Sequence, residues 1–376
     1  MRSNVEIYNK NGVIVLVSSA RVESNGRTFI YSTIKPYSEG GNAETCIQAL
    51  KFALDETRIK EPQSIVMIRF LVSDVSSQAQ IIRETFADET DTAISIVGQP
   101  PLCDEKVVAV AWSEIGASAK RIDSNTICVS GSTPDSEQEY ITTQMTAPLR
   151  DSFAEAKAQL EKYEKMLSKE GMQISENCIR TWFFVRDIDR NYAGVVDARR
   201  ENFHANNLTP ETHYIASTGI QGNDVDTDVT SILDAFAIKN IPQDSIRILY
   251  ASEKMNKTIE YGVTFERGVA VDRKEGVRQV FISGTASIDN KGNVLHVGDI
   301  DKQVDRMLEN IEALLVEAEM NWEDVAQATV YVRDYADAKR VEKTIQEKVS
   351  QIVVVLAPVC RPTWLVEMEA VAIKKL

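Results

Sequence analysis

Two glutamates near the end of the chain stand in an apolar segment and are candidates for acid chemistry. Glu367 and Glu369 alternate with Val366 and Met368. Because side chains along a strand alternate between its two faces, both acids are predicted to share one face. A carboxyl group desolvated in such a strand has a raised pKa and can act as a general acid near neutral pH. The alternative is an edge strand on which both glutamates face solvent.

An arginine interrupts the apolar face of a predicted helix in the middle of the chain. Tyr192, Val196, Arg199 and Phe203 fall at positions i, i+4, i+7 and i+11, which lie on one helical face. Arg200 is predicted to point to solvent. An arginine on an apolar face extends its charged end to water, forms a structural salt bridge, or holds an anion with its planar guanidinium group. The pattern leaves these three interpretations open.

A second arginine lies among aromatic residues on a predicted strand. Arg180 shares a strand face with Trp182 and Phe184. A structural salt bridge explains this position as well as an anion site does. Together with Arg199 and a strand that carries glutamates, Arg180 favours a small anionic substrate with two carboxylate groups.

Three short segments are predicted to shape the site around these charged residues. Cys360 lies in the turn 357–362 (APVCRP), and without a nearby histidine it is a poor nucleophile, which favours a packing role. The segment Ser283, Gly284, Thr285 and Ala286 is expected to form the opposite wall, where the glycine allows close approach. Residues 217–219 (STG) are predicted to be a turn that supplies backbone donors.

The composition excludes several classes of function. The 376 residues carry a formal net charge of −14, which disfavours nucleic acid and anionic membranes as partners, since both need a basic surface. Five scattered cysteines without a CxxC pair are typical of a reduced cytoplasmic protein. Three histidines without ligand spacing predict no metal site. No apolar run approaches the length of a transmembrane helix, and we expect no cofactor.

Three parts of the chain repeat one pattern. Apolar runs closed by valine, a polar residue and aspartate occur at 70–74 (FLVSD), 183–187 (FFVRD) and 330–334 (VYVRD). The segments FIYST, ICVSG and VFISG precede these motifs, and the segments VAVAW, DAFAI and EAVAI follow them. A divergent repeat at this spacing predicts three units, each with the order strand, helix, strand, helix, strand.

The repeats predict an α+β protein in which each unit is a mixed sheet with two helices packed on one face. Three such units cover one another's sheets when they are arranged about a pseudo-threefold axis. We place the units at 1–118, 119–262 and 263–376. Residues 206–228 are predicted to be a long loop, and 242–267 the connection into the third unit.

The alignment of the closing strands predicts a single site. Glu367 in the third unit corresponds to Lys106 in the first and Ile232 in the second. One of the three clefts between units therefore carries the acid. Its neighbouring unit is expected to supply Arg180 or Arg199, which places the site between the second and third units.

The third unit resembles the Rid/YjgF family in segments 278–315, 322–334 (WEDVAQATVYVRD) and 364–373 (WLVEMEAVAI). The first two units fit the same fold with weaker identity. Free-standing members of the family form homotrimers with ligand sites between subunits. The resemblance therefore implies three tandem Rid-like units, equivalent to such a trimer in one polypeptide, and a monomer in solution.

A narrower resemblance to the chorismatases lies in residues 180–203, 217–220 (STGI), 264–268 (TFERG) and 283–288 (SGTASI). Those enzymes convert chorismate and end in a Rid-like domain. The resemblance implies release of pyruvate from chorismate, which leaves a dihydroxycyclohexadiene carboxylate or 3-hydroxybenzoate, with Glu367 as the proton donor. The substrate-binding residues in this hypothesis are Arg180, Tyr192, Arg199, Gly284, Thr285, Ala286 and Cys360.

The alternative is a Rid/YjgF-type small-molecule-binding protein or an imine deaminase relative without chorismatase activity, since a fold does not determine a function. Imine-deaminating members of the family use an arginine at the start of the strand before the last hairpin. The corresponding segment 350–356 (SQIVVVL) contains none. The sequence therefore favours the chorismate hypothesis over imine deamination.

Overall fold

The computed structural model describes residues 1–38, 41–101, 105–131 and 136–376. In these residues the chain forms three six-stranded mixed sheets with helices, which confirms the predicted α+β fold of three tandem units. Cys103 lies outside the described residues, and the other four cysteines are free thiols. The helices in the described ranges do not combine the length and apolar character that crossing a membrane requires.

The first unit has three antiparallel strands before its first helix, two more than the predicted order of elements. Its elements are β1 (Arg2–Lys10), β2 (Val13–Ser24), β3 (Arg27–Tyr37), α1 (Ala43–Lys60), β4 (Ser64–Val72), α2 (Val75–Thr85), β5 (Ala93–Gly98) and β6 (Val107–Ile115). They form a sheet in the order β1-β2-β3-β6-β4-β5, in which β4 and β5 are parallel. The FLVSD motif ends β4, and its Asp74 caps α2 by accepting from the backbone of Ser76 and Ser77.

The second unit repeats this order. Its elements are β7 (Ala117–Arg121), β8 (Thr126–Gly131), β9 (Gln138–Met145), α3 (Ser152–Lys169), α4 (Ile174–Asn177), β10 (Cys178–Val185), α5 (Ile188–Ala205), β11 (Ala216–Gln221) and β12 (Ser231–Lys239). The sheet order is β7-β8-β9-β12-β10-β11. Strand β11 contains the segment 217–219, which was predicted to be a turn, and it lies within residues 206–228, which were predicted to be a long loop. Both predictions were wrong for this strand, because its serine, threonine and glycine lack the apolar alternation by which a strand is detected.

The third unit begins before its predicted limit. Its elements are β13 (Ile246–Leu249), β14 (Gly268–Arg273), β15 (Val277–Ala286), α6 (Ile300–Glu317), β16 (Val325–Val332), α7 (Ala338–Gln346), β17 (Ile352–Leu356) and β18 (Val366–Lys375). Strand β13 lies within the predicted connection 242–267, and it pairs with β14 as the edge of the third sheet. Four residues are too few for a strand to be recognised from its pattern. Short 3₁₀ helices occupy Gln243–Ser245, Thr258–Tyr261, Trp322–Asp324 and Tyr335–Asp337.

The topology corrects two details of the repeat alignment. Glu367 lies opposite Tyr331, and Val108 lies opposite Leu71 at the same position of the motif, so the counterpart of Glu367 in the first unit is Val108 and not Lys106. The second correction concerns a strand before the motif. The segment ICVSG lies in β8, whereas VFISG lies in β15. By position in the sheet, β8 corresponds to β14, and β9 is the counterpart of β15. The two segments resemble each other because both form buried strands. The sequence alignment therefore paired two strands that lie one position apart in their sheets.

The three sheets meet at an aromatic cluster that contains residues from every unit. Trp112 of β6 packs against Trp182 of β10 and Phe236 of β12, with ring centroids 6.2 and 5.7 Å apart. Phe281 of β15 lies 5.3 Å from Phe236 and 6.1 Å from Trp112. The sheet faces that the helices leave open are therefore buried against one another, as a pseudo-threefold arrangement requires.

A buried ion network also joins the three units. Glu139 on β9 accepts from Arg27 of β3 at 2.7 Å and from Arg273 of β14 at 2.8 Å. Arg27 also pairs with Glu114, and Arg273 pairs with Glu137. Because each buried charge has an opposite partner, the network links the units without leaving these charges uncompensated.

Candidate active site

A cavity of about 200 Å³ lies between the second and third units. It lies beside β11 and α5 of the second unit, and beside β15, β18 and the loop before β18 of the third. The residues that line it are Tyr192, Arg199, Ser217, Thr218, Gly219, Val263, Phe265, Arg267, Gly284, Ala286, Cys360, Arg361, Trp364 and Glu367. Most of the residues predicted from the sequence therefore meet at one place, although Arg180 and Thr285 do not line the cavity.

Glu367 and Glu369 lie on one face of β18, which is an inner strand between β15 and β16. Both are buried, with 5% and 7% of their surface exposed, which excludes the solvent-facing edge strand. Burial raises the pKa of Glu367 to about 8, and the negative charge of Glu369 contributes to the rise, whereas Arg180 and Arg267 oppose it. Glu367 is thus a protonated acid at the cavity wall near neutral pH.

A glycine permits this position of Glu367. A side chain added at Gly284 would collide with the Glu367 carboxyl group and would lie 3.2 Å from Cγ2 of Thr218. Gly284 lies in a β-bulge, because the register between β15 and β18 shifts between Ile282 and Thr285. The bulge and the missing side chain together bring the backbone of β15 against the acid.

Thr285 lies outside the cavity because it alternates with its neighbours along β15. It is fully buried, and its hydroxyl group donates to the carbonyl oxygen of Ser283 at 2.9 Å. Gly284 and Ala286, on either side of it, face the cavity. Thr285 therefore does not face the cavity in which the sequence predicts it to contact a substrate.

The second unit contributes Arg199 and Tyr192 from one face of α5. Arg199 is buried, and its Nη1 donates to Ser217 Oγ at 3.2 Å. Tyr192 lies over β11, where a side chain at Gly219 would approach the ring to 2.6 Å. Arg200 is exposed and pairs with Asp197, as the helical pattern predicts. The helix therefore directs one arginine and one tyrosine at the cavity.

Two further arginines of the third unit line the cavity, and sequence reasoning did not assign them to it. Arg267 is buried, and Arg361 lies over the ring of Trp364 at 4.6 Å. Arg267 belongs to the TFERG segment and Arg361 to the APVCRP turn. Both segments carry sequence signals, but a residue in an irregular segment belongs to no periodic pattern. The sequence therefore does not predict whether its side chain faces the cavity.

Arg180 has a different environment from the one predicted. It is 1% exposed, and its Nη2 pairs with Glu369 Oε2 at 2.7 Å, while Nη1 donates to Ser283 Oγ at 3.0 Å. Its guanidinium group is thus bound to protein groups behind the cavity wall. The pattern of alternating aromatic residues predicted the strand face correctly. The sequence left a salt bridge and an anion site open for Arg180, and the structure shows the salt bridge.

Cys360 shapes the cavity as a neutral thiol. Burial raises its pKa to about 12, with a smaller contribution from Glu367, and a hydrogen bond with Tyr192 opposes the rise. A thiol with this pKa is a poor nucleophile at neutral pH. In residues 1–38, 41–101, 105–131 and 136–376, no group of three histidine, cysteine, aspartate or glutamate side chains is placed to hold a metal ion.

The equivalent cleft between the first and second units is closed by a glutamine. Gln144 occupies the bulge of β9 that corresponds to Gly284, and its Oε1 accepts from the backbone N–H of Ile96 at 2.7 Å. Its Nε2 donates to Asp224 at 2.5 Å, and its backbone N–H donates to Asp234 at 2.9 Å. The long side chain fills the space that Gly284 leaves open in the other cleft.

Comparisons with known proteins agree with this architecture. The endoribonuclease L-PSP family matches residues 270–374. A RutC family protein of Pyrococcus abyssi is 33% identical over 101 residues, which are 26% of this chain and 79% of that protein. The 3-aminoacrylate deaminase RutC of Acinetobacter baylyi is 32% identical over 68 residues, 18% of this chain and 54% of that protein.

One solved structure is similar over most of the chain. A crystal structure of a chorismatase has a TM-score of 0.62 and 17% identity, and the match covers 82% of this chain and 93% of that one. At this identity the likeness shows a shared fold. The family match at residues 270–374 lies in the third unit, and the topology of that unit recurs in the other two. The chain therefore belongs to the Rid/YjgF superfamily and carries three units of its fold in tandem.

Proposed function

We propose that this protein is a chorismatase-like enzyme that releases pyruvate from chorismate. The observation that carries the proposal is Glu367, a buried acid with a pKa of about 8 at the wall of a cavity lined by arginines. An enol ether becomes open to hydrolysis once its double bond is protonated, which needs an acid that keeps its proton near neutral pH. The shared fold with a chorismatase supports the choice of substrate.

In the proposed reaction, Glu367 transfers its proton to the terminal methylene carbon of the enolpyruvyl group. The resulting oxocarbenium ion is stabilised by the carboxylate that remains. Water adds to the cationic carbon, and the hemiketal breaks into pyruvate and a dihydroxycyclohexadiene carboxylate, so that one water molecule is consumed. If the ring then loses a hydroxyl group as water, the second product is 3-hydroxybenzoate.

The arginines of the cavity account for the anionic character of such a substrate. Arg199 comes from the second unit, and Arg267 and Arg361 come from the third. Chorismate carries two carboxylate groups, which planar guanidinium groups bind with two hydrogen bonds each. Arginines on both sides of the cavity would hold the substrate in a fixed orientation toward Glu367, which lowers the entropic part of the barrier.

Incubation of the purified protein with chorismate tests the proposal. Pyruvate is measured with a coupled lactate dehydrogenase assay, and the ring product is identified by chromatography and mass spectrometry. We expect pyruvate and one ring product in equal amounts. If chorismate is recovered unchanged and no pyruvate is formed, the proposal fails.

The alternative is a small-carboxylate-binding protein of the same superfamily, and the similarity of this chain to RutC proteins favours this alternative. Strand β17, Ile352–Leu356, carries no arginine, which counts against imine deamination. Thermal shift with chorismate, isochorismate, 2-oxobutanoate and benzoates separates the two proposals. A ligand that raises the melting temperature without being converted supports binding alone, since stabilisation grows with occupancy.

A further inference from the structure

We propose that Arg180 and Glu369 are positioning residues: their ion pair aligns the cavity wall across the unit interface and sets the charge that Glu367 experiences. The inference rests on the proposed function in one respect, namely that Glu367 is the proton donor. It replaces the direct substrate contact that the sequence suggests for Arg180. The pair lies behind the wall, where neither side chain lines the cavity.

The carboxylate of Glu369 is held by donors from the neighbouring unit. Arg180 Nη2 lies 2.7 Å from Glu369 Oε2, and Trp182 Nε1 lies 3.0 Å from both carboxylate oxygens. Thr218 Oγ1 donates to the same carboxylate at 2.5 Å, and Tyr331 also forms a hydrogen bond with it. Such a set of partners fixes the carboxylate in one position and compensates its burial.

The same groups connect the two strands of the cavity wall. Thr218 on β11 accepts from Arg180 and from the backbone N–H of Gly284 on β15, the latter at 2.9 Å. Ser283 Oγ accepts from Arg180 Nη1 and from the backbone N–H of Ser217, both at 3.0 Å. Arg180 therefore sits at the junction of two units and holds the strand residues that contact Glu367.

The charges around Glu367 come from several elements. Glu369 lies two residues away on the same strand face, and Arg180 approaches from β10. The other titratable and charged groups that face the acid are Arg267, Arg199, Tyr192, Cys360, Arg361 and Tyr331. Burial raises the pKa of both Cys360 and Tyr331, so these two are neutral near pH 7. Arg180 and Glu369 thus act on Glu367 with opposite charges. When one of the two charges is removed, the sign of the remaining charge predicts whether the pKa of Glu367 rises or falls.

Removing one member of the pair or the other should move the pKa of Glu367 in opposite directions. Glu369→Gln leaves Arg180 uncompensated, which favours the ionised form of Glu367 and lowers its pKa by about one to two units. Arg180→Met leaves Glu369 uncompensated and raises the pKa by a similar amount. The double variant Arg180→Met/Glu369→Gln replaces the ion pair by two neutral side chains of similar shape. We expect the pKa of Glu367 in this variant to lie near the parent value.

The measurement is infrared difference spectroscopy of the folded protein during a pH titration, without substrate. The band of the protonated carboxyl group of Glu367 is identified by its loss in Glu367→Gln. Arg180→Lys retains the charge and is expected to leave the titration midpoint near that of the parent. Because no turnover is involved, this result does not depend on whether chorismate is the substrate.

Asp234→Asn is the matched control. Asp234 occupies the position on β12 that corresponds to Glu369, and it pairs with Arg69 at 2.8 Å across the first interface. We expect this variant to lower stability and to leave the midpoint of Glu367 in place. The proposal is overturned if both single variants move the midpoint in the same direction, if neither moves it, or if Asp234→Asn moves it equally.

Discussion

At the scale of single residues, the proposed chemistry of the cavity depends on the carboxyl group of Glu367. Its position on an inner strand removes it from water, and the nearby charge of Glu369 adds to the rise of its pKa to about 8. A carboxyl group in solution has a pKa near 4.3 and would be ionised at neutral pH. The fold therefore keeps the Glu367 carboxyl group protonated near neutral pH, which is the form that can donate a proton.

We predict that Glu367→Gln lowers the rate of pyruvate release from chorismate by about 10²–10⁴-fold, the usual effect of removing a general acid. Because the acid acts in its protonated form, kcat/KM of the parent protein should be constant below about pH 8 and should fall as pH rises through that value. Steady-state kinetics across a pH series measure both effects. Full activity of the variant would remove Glu367 from this role.

The same residue predicts a dependence of stability on pH. The folded-state pKa of Glu367 lies above its unfolded value, so between the two values the folded state binds more protons and stability falls as pH rises. Glu367→Gln removes this loss. We expect the variant to be more stable than the parent above pH 8, by on the order of a few kcal/mol.

Chemical denaturation with urea at acidic and at alkaline pH measures this difference. Below the unfolded pKa both states carry the proton, so the parent and the variant should there be similar in stability. An equal difference at both pH values would mean that the substitution acts through packing and not through ionisation.

At the scale of elements, the bulged strands β9 and β15 carry different residues into two of the three clefts. Both strands have one extra residue opposite the closing strand of their sheet. In β9 it lies between Thr142 and Met145, and in β15 between Ile282 and Thr285. In β9 the bulge carries Gln144, and in β15 it carries Gly284. The same bulge therefore carries a long side chain into one cleft and no side chain into the other.

We predict that Gly284→Ala lowers the rate by about 10²-fold, because the added methyl group displaces the carboxyl group of Glu367 from its position. The protein should remain folded, which circular dichroism and thermal unfolding check. Gln144→Ala is the matched variant in the first cleft. It is expected to lower stability and to retain activity, and equal losses of activity in both variants would contradict the assignment of the site to one cleft.

At the scale of the whole molecule, buried charges join the units, as the aromatic cluster also does. Arg273 of the third unit lies between Glu137 and Glu139 of the second, and it is fully buried. We predict that Arg273→Met lowers the free energy of unfolding by about 3–5 kcal/mol, because it leaves buried carboxylates uncompensated. Arg247→Met, which removes an exposed pair with Glu319, should cost at most about 1 kcal/mol.

Urea denaturation of both variants tests this prediction. Since the network joins units, the Arg273 variant should unfold at lower urea concentration without a change in the folded spectrum. Equal midpoints for the two variants would show that the buried network contributes no more than a surface ion pair.

The closed arrangement of three sheets also predicts the mass of the particle in solution. A cyclic interface that closes after three units leaves no equivalent surface for another chain. We therefore propose a monomer, for which light scattering coupled to size-exclusion chromatography should give about the chain mass of 42.0 kDa. A mass at two or three times this value would show that another surface of the units associates.

The sequence by itself determined the fold class, the number of units and the strand that carries the two glutamates. Periodic patterns report which face of a strand or helix is buried, so Glu367 and Glu369 were placed on one strand face and Arg199 on the inner face of a helix. The three repeats predicted three sheets because each motif specifies a strand that leads into a helix. These features follow from neighbours along the chain, which the sequence shows directly.

Only the tertiary structure decided which charged groups line the cavity and which lie behind it. Arg180 pairs with Glu369 of another unit, and Arg267 and Arg361 reach the cavity from irregular segments. Strands β11 and β13 were missed because they are short and owe their pairing to neighbouring strands rather than to their own pattern. Contacts between units depend on packing in three dimensions, and no local period in the chain encodes them.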